Sequence, residues 1–257
     1  MSDATDQAER VGWSRSVPRT ARERARAEIT AEILDAARGY LAAEGAPALS
    51  LRAIARDLGM ASSALYRYFS SRDELLTRLI IDAYDSLGAA AEVREATMDR
   101  NDLAGRFTAI CEAVRAWALA HPNEYALIYG SPVPGYVAPA DTVPPATRVT
   151  ALLLRIIVDA ATADRVPTAD RVPAADTPDG PAQIAAAALA PIRSHLPPEI
   201  PAPLVHRALM VWTNLFGVVS FELYGQLHEV VGEGPGDRDA FFAECVRRWI
   251  QFIGVAR

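Results

Sequence analysis

The stretch LSLRAIARDLGMASSALYRYFSSRDELL, from Leu49 to Leu76, constrains the fold of this chain more tightly than any other. Ser50 places a side-chain oxygen just ahead of the apolar residues Leu51, Ile54, Ala55 and Leu58. A short helix is therefore predicted over 51–58, with Ser50 as its N-cap. Gly59 then supplies the positive φ that a sharp stop needs. A second short helix is predicted over 62–69, burying Leu65, with Ala61 and Ala64 small enough for close approach. Ser71 opens a third, because Glu74 follows at capping-box spacing, and its pattern runs on to about Ala96. Two short helices joined by a tight turn form a helix-turn-helix pattern. Ser62, Ser63, Tyr66, Arg67 and Tyr68 are left on its outward side. Hydroxyls and a guanidinium on a small exposed helix reach phosphates and base edges, and such a helix fits the major groove.

The rest of the 257 residues also reads as helix, so the fold class is all-α. Ile29, Ile33, Leu34, Ala37, Tyr40 and Leu41 keep a helical period from Arg22 onward, and Gly45 with Pro47 ends it. Further helices are predicted over 102–120, 122–130, 142–163, 181–194, 203–229 and 237–253. The sequence ADRVP occurs twice, at 163–167 and 169–173, which reads as a short tandem duplication in a tolerant surface loop over 164–180. LPPEIPAP, residues 196–203, reads as a stiff connector. Three regions are expected: a flexible Arg-containing arm over 1–20, a helix-turn-helix domain over 21–70, and a larger helical domain over 71–257.

Charge separates the two ends. Residues 1–78 hold 12 Arg against 11 acidic residues, whereas the net charge of the whole chain is -6. From Arg10 to Arg26 there are six Arg and one acid, Glu23. One end can meet phosphates while the remainder repels them. Every basic residue is Arg. Cys111 and Cys245 lie far apart without metal-ligand spacing, which argues against a disulfide scaffold and a zinc finger. The opening MSDATDQAER is polar and does not read as a signal peptide. Thr213, Asn214 and Glu222 interrupt the apolar run ALMVWTNLFGVVSFELYG, which reads as a buried helix rather than a membrane span. A cytoplasmic location and no membrane partner are expected.

Residues 22–80 resemble the DNA-binding domain of the tetracycline-repressor (TetR/AcrR) family. The segments that carry the likeness are ILDAARGYLAAEG, SLRAIARDLGM and ALYRYFSSRDELL, in that order. HPNEYALIYGSPVPGY (121–136) and WTNLFGVVSFELYG (212–225) resemble the WHG-type ligand domain within that family. The chain departs from the family pattern in three places. Ala64 stands where many members carry Thr or Ser, Phe216 stands in place of the signature His, and Arg72 stands where Lys is common. The resemblance implies that Ser50 and Arg52 touch phosphates or bases. It places Ser62, Ser63 and Tyr66 on the recognition helix, and gives Tyr68 and Arg72 the DNA backbone to hold. Arg24 and Arg26 are expected at the flanking phosphate or minor groove. Base reading is assigned first to Ser62, Ser63 and Arg52, a phosphate contact to Tyr66, and either role to Arg67.

The larger domain is expected to sense and to pair. Trp117, His121, Tyr125, Tyr129, Tyr136, Trp212 and Phe216 supply aromatic surface with polar tips. Each alone reads as core; as a set they read equally well as a pocket for a small apolar or amphipathic effector. Glu222, in an apolar helix, must be paired or exposed. Leu215, Val219, Phe242, Val246 and Trp249 stripe the last two helices and are expected at a four-helix interface of a homodimer. The function expected is a ligand-relieved repressor on a pseudo-palindromic double-stranded DNA operator. A ligand-independent or activating helix-turn-helix regulator is the alternative. An enzyme is disfavoured: no nucleophile elbow, phosphate loop, His-Glu metal pair or acid-base carboxylate pair is present, and no cofactor is expected.

Overall fold

The computed structural model describes residues 20–162 and 187–255, apart from 195, 199, 201 and 235. Most of the N-terminal arm, the ADRVP repeat, His195 and much of the helix predicted over 181–194 lie outside the described residues. Among those described, all regular structure is helical: α1 (Ala21–Glu44), α2 (Leu51–Asp57), α3 (Ser62–Leu65), α4 (Arg72–Ala96), α5 (Leu103–Ala120), α6 (Pro122–Tyr129), α7 (Val143–Ala146), α8 (Arg148–Thr162), α9 (Ala190–Arg193), α10 (Ala202–Leu223) and α11 (Asp237–Ile253). Close backbone contacts divide the chain into two compact units, one ending at Arg72 and the other beginning at Asp73.

In the first unit the turns are set by a few residues. Thr20 caps α1 by accepting from the Glu23 amide at 3.2 Å, and Glu23 accepts in return from the Thr20 amide at 3.0 Å. Gly45, at φ 77°, ends that helix. The Ser50 hydroxyl accepts from the Ala53 amide and starts α2. The end of α2 is a Schellman turn. The Met60 amide reaches back to the Ala55 carbonyl at 2.8 Å and the Gly59 amide to Arg56 at 3.1 Å, with Gly59 at φ 65°. A side chain at φ 65° costs about 1–2 kcal/mol. Gly59→Ala is therefore expected to lower unfolding stability by that amount; urea denaturation followed by circular dichroism is the check.

α3 is shorter than the predicted 62–69. Beyond Leu65 the amides of Arg67 and Tyr68 bond three residues back, to Ala64 and Leu65, so the last turn tightens out of α geometry. Ile33, Leu34, Ala37, Leu41, Leu51, Ile54, Ala55, Leu65 and Phe69 are buried.

In the second unit α5, α8, α10 and α11 pack closely on one another. Their inward stripes follow a helical period: Leu103, Phe107, Ile110, Val114 and Trp117 on α5, and Val149, Leu152, Ile156 and Ala160 on α8. The helix predicted over 142–163 is broken into α7 and α8. Pro144 and Pro145 have no amide to bond a preceding turn, so they serve only as a first turn. α10 stops at Leu223, not 229, because a turn at Gly225 (φ 80°) follows it. α10 is long and apolar enough to cross a membrane by length and composition, yet Leu204, Val205, Ala208, Val211, Leu215 and Val219 lie in the core.

The residues expected at the dimer interface also serve the core of their own chain. Leu215, Val219, Phe242 and Val246 are buried inside one chain, and Trp249 packs against the same core. The sequence stripe on each helix was the one facing its own chain.

Candidate functional site

The first unit presents a short polar face built by the Gly59 turn. Ser62 and Ser63, the first two residues of α3, are exposed, as are Arg67 and, on α2, Arg52. Tyr66, at the C-terminal end of α3, is 44% exposed although its ring is large and apolar. Ser50 is half-buried, because its hydroxyl is spent on the α2 cap. Arg24 is exposed on α1.

Two residues expected at phosphates are engaged internally. The Arg72 Nη2 donates to the Ala46 carbonyl at 2.8 Å and its Nε to the Leu49 carbonyl at 3.1 Å, pinning the turn before α2. The Arg26 Nη2 donates to the Arg67 carbonyl at 3.2 Å, and its guanidinium lies 5.1 Å from the Tyr68 ring centre. Arg26 thus braces the chain just after α3, and Tyr68 is half-buried beneath it. Tyr40 adds a further tie from α1 to α2, donating to the Asp57 carboxylate at 2.5 Å. Nothing in the local sequence marks these contacts, which span 17 to 41 residues. The Thr20-x-x-Glu23 box, by contrast, was readable from spacing alone.

In the second unit the aromatic residues gather as a packed cluster. Tyr129 lies 4.3 Å from Phe216 and 5.0 Å from Tyr125 between ring centres, and Phe216 meets Trp212 at 5.8 Å. The Tyr125 hydroxyl, buried, donates to the Phe216 carbonyl at 3.1 Å and pairs with Ser220 at 2.9 Å. Burial pushes that hydroxyl up to about 12 and drives Tyr129 higher than its ordinary value. Trp117 donates to Ser86 at 2.9 Å and stacks near His121, which is exposed. Tyr136 stands apart from the cluster, its hydroxyl 2.8 Å from that of Thr77. The expected pocket lining is therefore mostly ring against ring. The clefts described below are lined by other residues.

α4 joins the core of its own unit through Ala83, Leu87 and Ala91, and polar side chains add to that attachment. Besides Thr77···Tyr136 and Ser86···Trp117, the Tyr84 hydroxyl donates to the Ile128 carbonyl at 3.3 Å. Arg148 lies across Gly88, with both Nε and Nη2 on Glu92 and Nη1 on the side chain and carbonyl of Asp85. A Cβ at position 88 would sit 2.7–2.9 Å from Arg148 atoms, so glycine is what lets this clasp close. Arg106, on α5, is a buried cation: it donates to Glu95 at 2.6 Å and to Asp159 at 2.7 Å. Glu222 is both buried and paired, with Arg115 holding its two oxygens at 2.7 Å each.

Comparison with known proteins gives a consistent picture. Residues 33–79 match the family described as bacterial regulatory proteins, tetR family. Residues 107–249 match the tetracyclin repressor-like C-terminal domain. The HTH-type transcriptional regulators Rv1816 of Mycobacterium tuberculosis and Mb1846 of Mycobacterium bovis are each 40% identical over 217 residues, covering 84% of this chain and 89% of the relative. The crystal structure of the regulatory protein SCO4313 is 37% identical and superposes with a TM-score of 0.70, over 90% of this chain and 100% of that one. A Rhodococcus sp. RHA1 protein of unknown function, 23% identical, shares the fold at a TM-score of 0.60 over 86% of this chain and 94% of its own.

Proposed function

The chain belongs to the TetR family of DNA-binding transcriptional regulators, and from that premise we propose that it is a cytoplasmic, ligand-relieved repressor working as a homodimer. The observation that carries this reading is the exposed polar face Ser62, Ser63, Tyr66 and Arg67, presented by a four-residue helix after the Gly59 turn. Ser62, Ser63 and Arg52 read bases, Tyr66 and Arg24 touch phosphates, and Arg67 serves either purpose. Arg26, Arg72 and Tyr68 keep the reading segment in place. The operator is a pseudo-palindrome whose half-sites repeat at about 34–36 Å or a multiple of it.

Pairing is assigned to the outward seams of the last two helices. Met210, Asn214, Gly217, Phe221 and Tyr224 recur at steps of four and three along α10 and just past its end, and Phe241, Cys245, Arg248 and Phe252 do so along α11. That is a heptad seam on each helix. Met210, Phe221, Tyr224 and Phe252 are large apolar groups left 41–54% exposed. Arg207 joins the seams, its guanidinium 5.6 Å from the Phe252 ring centre. Phe221→Glu combined with Phe252→Glu is expected to give a helical monomer with at least tenfold weaker operator binding. Light scattering behind size exclusion reads the mass, and a dimer of unchanged affinity would count against the seam.

A small apolar or amphipathic effector binds the second unit and shifts α4, the helix that continues directly from the reading segment at Arg72. To relieve repression it must bind the two arrangements unequally, and a few kcal/mol suffices. The test is footprinting of DNA flanking the gene, with and without candidate effectors. Protection lost on effector addition supports relief; protection unaltered by any bound effector leaves a ligand-independent regulator.

A further inference from the structure

Two clefts in the second unit meet at the Arg115–Asp239 pair. A groove of about 590 Å³ runs between α5 and α11, floored by Ala116, Leu119, Phe242, Val246 and Ile250. Next to it a polar cleft of about 480 Å³ is lined by Arg115, Glu222, Arg238 and Asp239. Arg115 and Asp239 border both. The groove falls in the size range of small-molecule sites, about 300–1,000 Å³.

Arg115 is oriented for a second anion. Its Nε and Nη2 neutralise Glu222, whose side chain is only 6% exposed. Nη1 is left over and meets Asp239 at 2.7 Å. Asp239 is 75% exposed, so solvent screens its hold on Arg115 and a competing anion can reach the same nitrogen. The Glu222 bond is fixed; the Asp239 bond is exchangeable. The same guanidinium sits 5.1 Å from the Phe242 ring centre, at the point where the apolar floor begins. Arg238 lines the polar end together with Glu233, and it has no hydrogen bond or ion pair among the described residues.

We propose that this junction is an effector site for amphipathic monocarboxylates: the ligand carboxylate replaces Asp239 on the Arg115 Nη1, and its apolar tail lies in the groove between α5 and α11. A cationic amphipath would bring its charge against the fixed guanidinium. The assignment rests on the reading of the protein as ligand-responsive and specifies that ligand's chemistry and seat.

The test measures binding directly, without DNA, by calorimetric titration of the full-length protein with dodecanoate below its micelle concentration. Dodecyltrimethylammonium serves as the charge-reversed control. The expected result is saturable binding of one dodecanoate per chain, at least tenfold tighter than the ammonium. Asp239→Asn, which removes the competing carboxylate, should tighten binding several-fold. Ala243→Trp, which fills the groove from the exposed side of α11, should weaken it at least tenfold while circular dichroism melts stay unchanged. No saturable binding, a preference for the ammonium, or affinity indifferent to both substitutions would overturn the proposal. Operator footprinting is a separate readout, so loss of this site would leave the DNA-binding reading intact, and the reverse also holds.

Discussion

Arg106→Met is expected to destabilise the second unit by about 3–5 kcal/mol, because it strands a buried carboxylate. The Arg106 side chain is 1% exposed and donates to Glu95 at 2.6 Å. Glu95 is itself nearly inaccessible, and among the described residues the only other cation on it is Arg100, at 2.9 Å and mostly exposed. Nη1 also bonds Asp159 and the Arg100 carbonyl, while Nη2 has no protein partner among the described residues. The charge is thus paired but not fully satisfied, a condition under which an apolar replacement of the whole pair does well. Arg106→Met with Glu95→Leu should therefore regain most of the loss. Urea unfolding of the single and double variants decides it: equal loss in both would mean that Arg106 acts by shape alone and not by neutralising Glu95.

The second large effect falls on DNA. Arg52→Ala with Tyr66→Ala should reduce operator affinity by about 10²-fold or more, taking about 1–3 kcal/mol for each lost contact. Both side chains are exposed, and neither anchors the core. Unfolding stability should therefore stay within about 0.5 kcal/mol of the parent, as surface substitutions do. Fluorescence anisotropy on the operator, beside a urea melt, separates a lost contact from a lost fold. Affinity within twofold of the parent would remove these residues from the interface.

Local chemistry made most of the helix boundaries legible. Ser50, Gly59 and Gly45 act through their own backbone geometry, so α1, α2 and the turn after α2 could be written down from residue type and spacing. The span of α11, 237–253, followed from the Gly-rich segment before it and Gly254 after it. Pro144 and Pro145 are compatible with a helix start but not with the interior assigned to them. Gly225 ends α10 early although apolar residues continue beyond it. Tertiary choices were the least legible. A helix with apolar residues on two faces does not announce which face meets its own chain, and Leu215, Val219, Phe242 and Val246, expected at a subunit interface, are buried within this one. Arg26 and Arg72 were expected on DNA, yet each is committed to a backbone carbonyl distant in sequence, and no local signal marks Arg106 and Arg148 as the partners of Glu95 and Glu92. The aromatic residues were visible as a set. Whether they enclose space or fill it depends on ring orientation, which spacing does not encode.

The central claim, that the outward face following Gly59 reads a duplex as part of a symmetric pair, is tested most directly by footprinting across a salt series on the DNA flanking this protein's own gene. The account predicts two protected half-sites, centred about 34–36 Å or a multiple apart. It also predicts an affinity that falls log-linearly with rising salt. Protein that is folded yet protects no sequence there, or binds all duplexes alike regardless of salt, would contradict it.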